Sequence, residues 1–306
     1  MMDALPTSEI ARLDLLFPAR PVALAGGAEI VVRECGAGGV QGRQGARKPV
    51  VVCLHGIGSG SGSWFEVAQR LGRQARVIAW DTPGYGASTP LPMTAPKASD
   101  YAERLGALLD ALQIERCVLV GHSLGALIAG AAARADSPLA LRIAQLVLIS
   151  PARGYGAAKD AELRQRVRTG RLDSLARLGV AGMAIEAPAR MLSELADTRA
   201  RQWVQWNMAR LNESGWVQAV ELLCGADLLA DLPPASTMPP ARVACGALDT
   251  VTPPAACAEV AARCGVVLES IADAGHACYV EQPQAVADWL AGIAISAADT
   301  PSVRHQ

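Results

Sequence analysis

From about residue 50 the chain alternates between short apolar runs rich in β-branched residues and longer segments of helical period. The runs at 50–55, 75–81, 117–121 and 144–150 read as strands; 64–71, 100–112 and 124–135 read as the helices between them. Strands with no polar alternation belong in a sheet covered on both faces, and strand–helix alternation implies parallel order. The pattern predicts an α/β fold, a mostly parallel central sheet with helices on both faces. Ahead of it lie a weakly amphipathic start, two short extended runs, PVALAG and AEIVVREC, and a glycine-rich stretch, GAGGVQGRQGARK, that reads as a loop.

Between about 151 and 231 the alternation lapses. This segment is helical in pattern, offers no convincing strand, and contains Trp203, Trp206 and Trp216. Alternation resumes with a strand at 242–248, a helix near 255–263, a strand at 266–271 and a last helix from Pro283. An insertion inside a strand–helix series reads most simply as a helical lid over one end of the sheet; a small helical domain with structural duties is the plainer alternative. The expected division is a core at 20–150 and 232–295, a lid at 151–231, and terminal extensions at 1–19 and 296–306.

Composition narrows the picture. A formal charge of −1 gives no reason to expect nucleic acid or an anionic membrane surface as a partner. Charged residues interrupt the N-terminal stretch, and the longest nearly apolar run, 124–133, is too short to span a membrane. A soluble cytoplasmic protein, monomeric or homo-oligomeric, is expected. The eight cysteines form no CxxC pair, and several sit in apolar runs, so they read as reduced core residues. Of the four histidines, His305 lies in a polar tail, which leaves His55, His122 and His276 for any imidazole chemistry.

The strongest chemical signal is Gly121-His122-Ser123-Leu124-Gly125, which follows an apolar strand and opens an alanine-rich helix. A serine on so sharp a turn needs residues without side chains two positions before and after it. The turn lifts the hydroxyl above the sheet and leaves the next N–H at a helix N-terminus. That hydroxyl needs a base. His122 belongs to the turn and should point away; His55 ends a strand; His276 lies on a loop after the last strand and is the expected base. Asp249, after the strand at 242–248, is the expected acid, giving the order Ser123, Asp249, His276. Asp273 sits too near His276 in sequence, and Asp81 in WDTPGYGAS reads as a loop pin. Leu124 N–H and, from the glycine-rich turn HGIGSGSGSW, Ile57 N–H are the expected oxyanion donors. No Lys-Ser/Thr follows that turn, so a nucleotide is not expected, nor any metal or other cofactor.

With these residues in hand, the chain resembles the α/β-hydrolase superfamily over roughly 20–295. The resemblance is carried by HGIG at His55, DTPGYGAS at Asp81, GHSLG at Ser123, GALDTVTPP at Asp249 and GHACYVEQP at His276. Haloalkane dehalogenases and epoxide hydrolases place aspartate where Ser123 stands. The meta-cleavage C–C hydrolases share the HGxG turn but usually carry Trp and Asn at the positions of Ala277 and His122. The segment RQRVRTGRLDSLARLGVAGMA and the EQP after His276 are similar to 3-oxoadipate enol-lactonases. The resemblance implies a serine hydrolase acting on a small ester or enol-lactone; C–C hydrolysis with the same triad, or a non-turnover receptor on the same fold, are the alternatives. Trp203 and Trp206 are candidate pocket residues. Arginines at 153, 164, 166, 168, 190, 201 and 210 are candidates for holding a substrate carboxylate.

Overall fold

The computed structural model describes residues 4–36, 48–157 and 161–299. Most of the glycine-rich stretch expected as a loop, and His305, lie outside them. The chain opens with α1 (Thr7–Leu16), then β1 (Ala19–Ala23), β2 (Glu29–Cys35) and β3 (Val50–Leu54). A 3₁₀ turn, Ser61–Trp64, leads into α2 (Phe65–Leu71), followed by β4 (Arg76–Trp80), α3 (Ala98–Ala111), β5 (Cys117–His122) and α4 (Leu124–Ala132). After β6 (Ile143–Ile149) come α5 (Ala161–Met191), α6 (Thr198–Met208), α7 (Glu213–Gly225) and α8 (Leu228–Asp231) with no strand among them. The sheet resumes with β7 (Ala241–Gly246), α9 (Pro254–Arg263) and β8 (Leu268–Ile271), and the chain continues through α10 (Cys278–Glu281) and α11 (Pro283–Asp299).

The strands form one eight-stranded sheet in the order β1-β2-β4-β3-β5-β6-β7-β8. Pairing is parallel from β4 to β8, as strand–helix alternation predicts. β1 and β2 are antiparallel to their neighbours. PVALAG and AEIVVREC are joined by a turn too short for a crossover helix, so a hairpin is the connection open to them. The apolar character of each strand tracks its place. Every residue of β5 is buried between neighbours, whereas edge strand β1 is exposed at four of its five positions. α4 is also buried on all sides, and its Ala-Gly composition allows this: a Cβ on Gly130 would lie 2.4 Å from Leu228 Cδ1.

The first residues are packed rather than peripheral. Leu13 and Phe17 are fully buried, and Arg12 and Arg199 share Glu66 of α2. The segment between β6 and β7 is tied at its two ends. Leu228 N–H donates to Arg153 O (2.8 Å) and Gly156 N–H to Ala226 O (2.8 Å), so entry and exit lie side by side above β6. α5 is kinked at Gly179, where φ is 61°. Among the described residues no helix is long and apolar enough to cross a membrane.

Candidate active site

Strand order reverses between β3 and β5, because β4 lies on one side of β3 and β5 on the other. Loops leaving the carboxyl ends there diverge and open a crevice. The loop after β3 carries His55–Gly62, and the loop after β5 carries Ser123.

Ser123 has φ 51° and ψ −114°, a backbone conformation that an L-residue adopts only under constraint. Main-chain bonds supply the constraint. Ser123 N–H donates to Ile149 O (3.1 Å), and Ser123 O accepts from Ala126 N–H (3.0 Å) and Ala152 N–H (3.2 Å). The flanking glycines are sterically required: a Cβ on Gly121 would lie 2.6 Å from Gly125 O, and one on Gly125 would lie 2.4 Å from Leu54 O. Gly56 approaches from the other side, its Cβ position 2.9 Å from Ser123 Cβ. Ile57 thus follows a residue packed directly against the serine, and Leu124 follows the serine itself and opens α4 with its N–H free of helical bonding. Among the described residues the Ser123 hydroxyl makes no hydrogen bond.

The three described histidines have distinct bonding. Thr82 N–H donates to His55 Nε2 (3.0 Å), so the proton sits on Nδ1, which donates to Gly56 O (2.8 Å). Both nitrogens are occupied, and burial lowers the His55 pKa. His122 turns away from the serine, as expected, and its Nε2–H donates to His276 O (2.9 Å). Burial, with the nearby His276 ring, pushes His122 down to about 3, so it stays neutral. His276 instead points Nδ1 at Asp249 Oδ2 (2.9 Å), which leaves Nε2 as the acceptor.

Asp249 lies three residues past the end of β7, which is shorter than the sequence pattern suggests. Oδ1 accepts from Val251 N–H (2.8 Å) and Thr252 N–H (2.9 Å), while Oδ2 accepts from Thr252 Oγ1 (2.8 Å) and His276. Burial alone would raise this carboxyl, but the His276 contact and the Thr252 bonds outweigh it and hold the group at about 2. The acid and histidine loops are also joined through the main chain, with Leu248 N–H donating to Ala274 O (2.9 Å). Asp273 is a turn residue with φ 53°. Asp81 accepts from Ser61 N–H (2.7 Å), which pins the turn after β3 to β4.

The glycines of that turn have a second role. Cβ atoms on Gly58 and Gly62 would lie 2.9 Å from Met208 Cε and 2.8 Å from Trp206 Cζ3, and the Gly58 position is 3.6 Å from Trp216 Cζ3. The backbone is therefore covered by α6 and α7. Trp203 packs against Phe65 at 5.8 Å and Trp206 at 5.5 Å between ring centroids. It lines a cavity of about 180 Å³ with Ser63, Glu66 and Arg199, and neither Ser123 nor His276 is in that lining. Several candidate arginines are engaged: Arg153 with Glu259, Arg168 with Glu221, and Arg210 over the Trp206 ring.

A supporting set of side chains braces the site from outside the triad. Tyr279 stacks on Trp64 (4.2 Å), meets the His122 ring edge-on (4.7 Å), and donates to Ser63 Oγ (3.1 Å). Ser59 also donates to Ser63, which donates to Gly60 O (2.6 Å), so three hydroxyls brace the turn. The signal for Tyr279 was its place three residues past His276 in GHACYVEQP. Among the described residues no group of three His, Cys, Asp or Glu is placed to hold a metal ion.

This geometry has known counterparts. The model of the family described as "Alpha/beta hydrolase family" matches residues 51–289. A curated relative, the (E)-2-((N-methylformamido)methylene)succinate hydrolase of Acinetobacter baylyi, is 26% identical over 61% of this chain and 66% of its own. Two further curated relatives are matched over only 31% and 43% of their lengths. The fold is similar to that of the enol-lactonase from Burkholderia xenovorans, at TM-score 0.74 and 22% identity over 90% of this chain and 100% of that one. It is also similar to a thermophilic esterase from Thermogutta terrifontis, at TM-score 0.73 and 21% identity over 92% and 99% of the two chains.

Proposed function

This chain belongs to the alpha/beta hydrolase family, and from that premise we propose a serine hydrolase that cleaves a small carboxylic ester or enol-lactone through an acyl-enzyme on Ser123. The observation that carries the reading is a strained serine at the strand-order reversal, with an Asp249–His276 pair delivered to the same sheet edge. In the proposed reaction Ser123 Oγ attacks the carbonyl carbon while His276 Nε2 takes its proton. Asp249 holds the imidazole with Nδ1 protonated and balances the imidazolium charge. The N–H groups of Ile57 and Leu124 receive the oxyanion. Collapse breaks the acyl–oxygen bond, and His276 returns the proton to the leaving oxygen. Water then attacks the acyl-enzyme with His276 again as base, releasing the acid and the Ser123 hydroxyl.

In this reading residues 151–231 form a lid over the carboxyl edge. Met208 and Trp216, which lie on Gly58, form its inner wall nearest the oxyanion donors, with Trp206 further along the turn. The test is a panel of p-nitrophenyl esters, enol-lactones and ring-cleavage dienones on purified protein and on Ser123→Ala. Turnover of esters or lactones that disappears in the variant supports the proposal. Turnover of dienones alone would replace it with C–C hydrolysis.

A further inference from the structure

The loop bearing His276 is held from three sides. His122 Nε2–H donates to His276 O (2.9 Å), Ala277 N–H donates to Met191 O (2.8 Å), and Gly275 N–H donates to Glu281 Oε1 (2.7 Å). The second bond connects the loop directly to the end of α5, and the third does so through Glu281 of α10. Met191 is the last residue of that helix, and Glu281 Oε2 accepts from Ser193 N–H (3.1 Å) and Ser193 Oγ–H (2.6 Å). The segments are also in close steric contact, since a Cβ on Gly275 would lie 2.6 Å from Ser193 N. The Glu281 carboxylate thus uses one oxygen on the residue before His276 and the other on the lid. Hydrogen bonds from amides and hydroxyls to an ionised carboxylate are among the stronger and shorter ones.

We infer that Glu281 is a positioning residue for His276, clasping the loop of the general base to the C-terminal end of α5, inside the lid segment, at 191–193. The inference rests on the proposed roles of Ser123 and His276. Its physical basis is that proton transfer from Ser123 depends steeply on where Nε2 sits, and an error of roughly 1 Å costs on the order of 100-fold in rate. With the clasp removed, His276 keeps its Asp249 partner but loses one of the bonds that set its main chain. The lid keeps the Ala277–Met191 main-chain bond but loses its carboxylate link to the base loop in the same step.

The test uses a fluorophosphonate probe, whose attack on Ser123 needs the base but no knowledge of the natural substrate, alongside p-nitrophenyl acetate turnover. The proteins are wild type, Ser123→Ala, Glu281→Ala, Glu281→Gln and Ser193→Ala, each assayed well below its melting temperature. Glu281→Ala should slow labelling and kcat by about 10- to 100-fold with KM nearly unchanged. Glu281→Gln keeps an acceptor for Gly275 N–H and should recover part of the rate. Labelling of Glu281→Ala at the wild-type rate, with only a lower Tm, would overturn the inference. If that variant fails to fold, Glu281→Gln decides: slower labelling of the folded protein supports the clasp, and a wild-type rate overturns it. Wild-type protein that is not labelled at Ser123 would instead remove the nucleophile assignment on which the inference stands.

Discussion

At the end of β5, Ser123 is held by main-chain bonds to Ile149, Ala126 and Ala152 and by glycines with no room for a Cβ. On α6, Trp203 is held by ring contacts with Phe65 and Trp206. The first region depends on backbone geometry, which few sequences can supply. The second depends on side-chain volume, which many can. The difference fits the proposed division of roles, with chemistry at the sheet edge and specificity on the helices: a reacting atom needs the rigid support, and a pocket wall can vary without disturbing it.

The largest effect should come from the sheet edge. His276→Ala should lower kcat on the order of 10⁴- to 10⁶-fold while circular dichroism shows an intact fold, and Asp249→Ala should cost less. If Asp81→Ala abolishes turnover and Asp249→Ala spares it, the acid is misassigned.

On the helical side, Trp203→Ala should lower stability by roughly 3–5 kcal/mol in a denaturant titration, since the ring is buried against Phe65. The chain-length profile of kcat/KM should be retained. Met208→Ala should do the reverse, shifting the profile by about tenfold or less through lost apolar contact. A Trp203→Ala variant of normal stability and altered profile would move the pocket wall toward α2.

A pair of alanine substitutions sets the two regions against each other. Gly125→Ala forces a Cβ to 2.4 Å from Leu54 O and should destabilise by roughly 1–3 kcal/mol. Gly170→Ala in α5 meets nothing within 4 Å and should stabilise by roughly 0.5–1 kcal/mol. Equal effects in a thermal melt would contradict the distinction.

That distinction also separates what the sequence disclosed from what it did not. GHSLG, HGIG and the positions of Asp249 and His276 were legible because a strained turn and a strand end restrict residue type. The helices between β6 and β7 were legible as helices, but not which of their faces met the turn after β3. Trp203 and Trp206 fall in one motif-free segment, and only packing separates the ring on Phe65 from the ring on Gly62. The first helix, α1, is a second case. Its modest amphipathicity gave no sign that Leu13 and Phe17 are fully buried. Glu281 and Tyr279 stand in the motif GHACYVEQP, but their roles were not legible because their partners, Ser193, Ser63 and Trp64, are remote in sequence.

A smaller effect should appear in the pH dependence of stability. His122 is held at about 3 in the folded protein against an ordinary 6.5, so the unfolded chain binds more protons between those values. Stability should be full above the ordinary value and fall as pH drops through this window. Asp249, held at about 2 against 3.8, acts the same way lower down: its contribution is present above 3.8 and lost toward 2. His122→Asn should flatten the upper part of the curve and leave the lower part, measured by urea titration at a series of pH values. An unchanged slope would mean that His122 takes up a proton without opening the turn at Ser123.

The central claim is that an acyl group passes through Ser123. Rapid mixing with p-nitrophenyl acetate, an acid quench and peptide mapping by mass spectrometry test it most directly. The account predicts a pre-steady-state burst of p-nitrophenol, with the acetyl group on the peptide containing Ser123 and both signals absent in Ser123→Ala. Steady turnover with no acylated intermediate, or an acyl group on another residue, would contradict it.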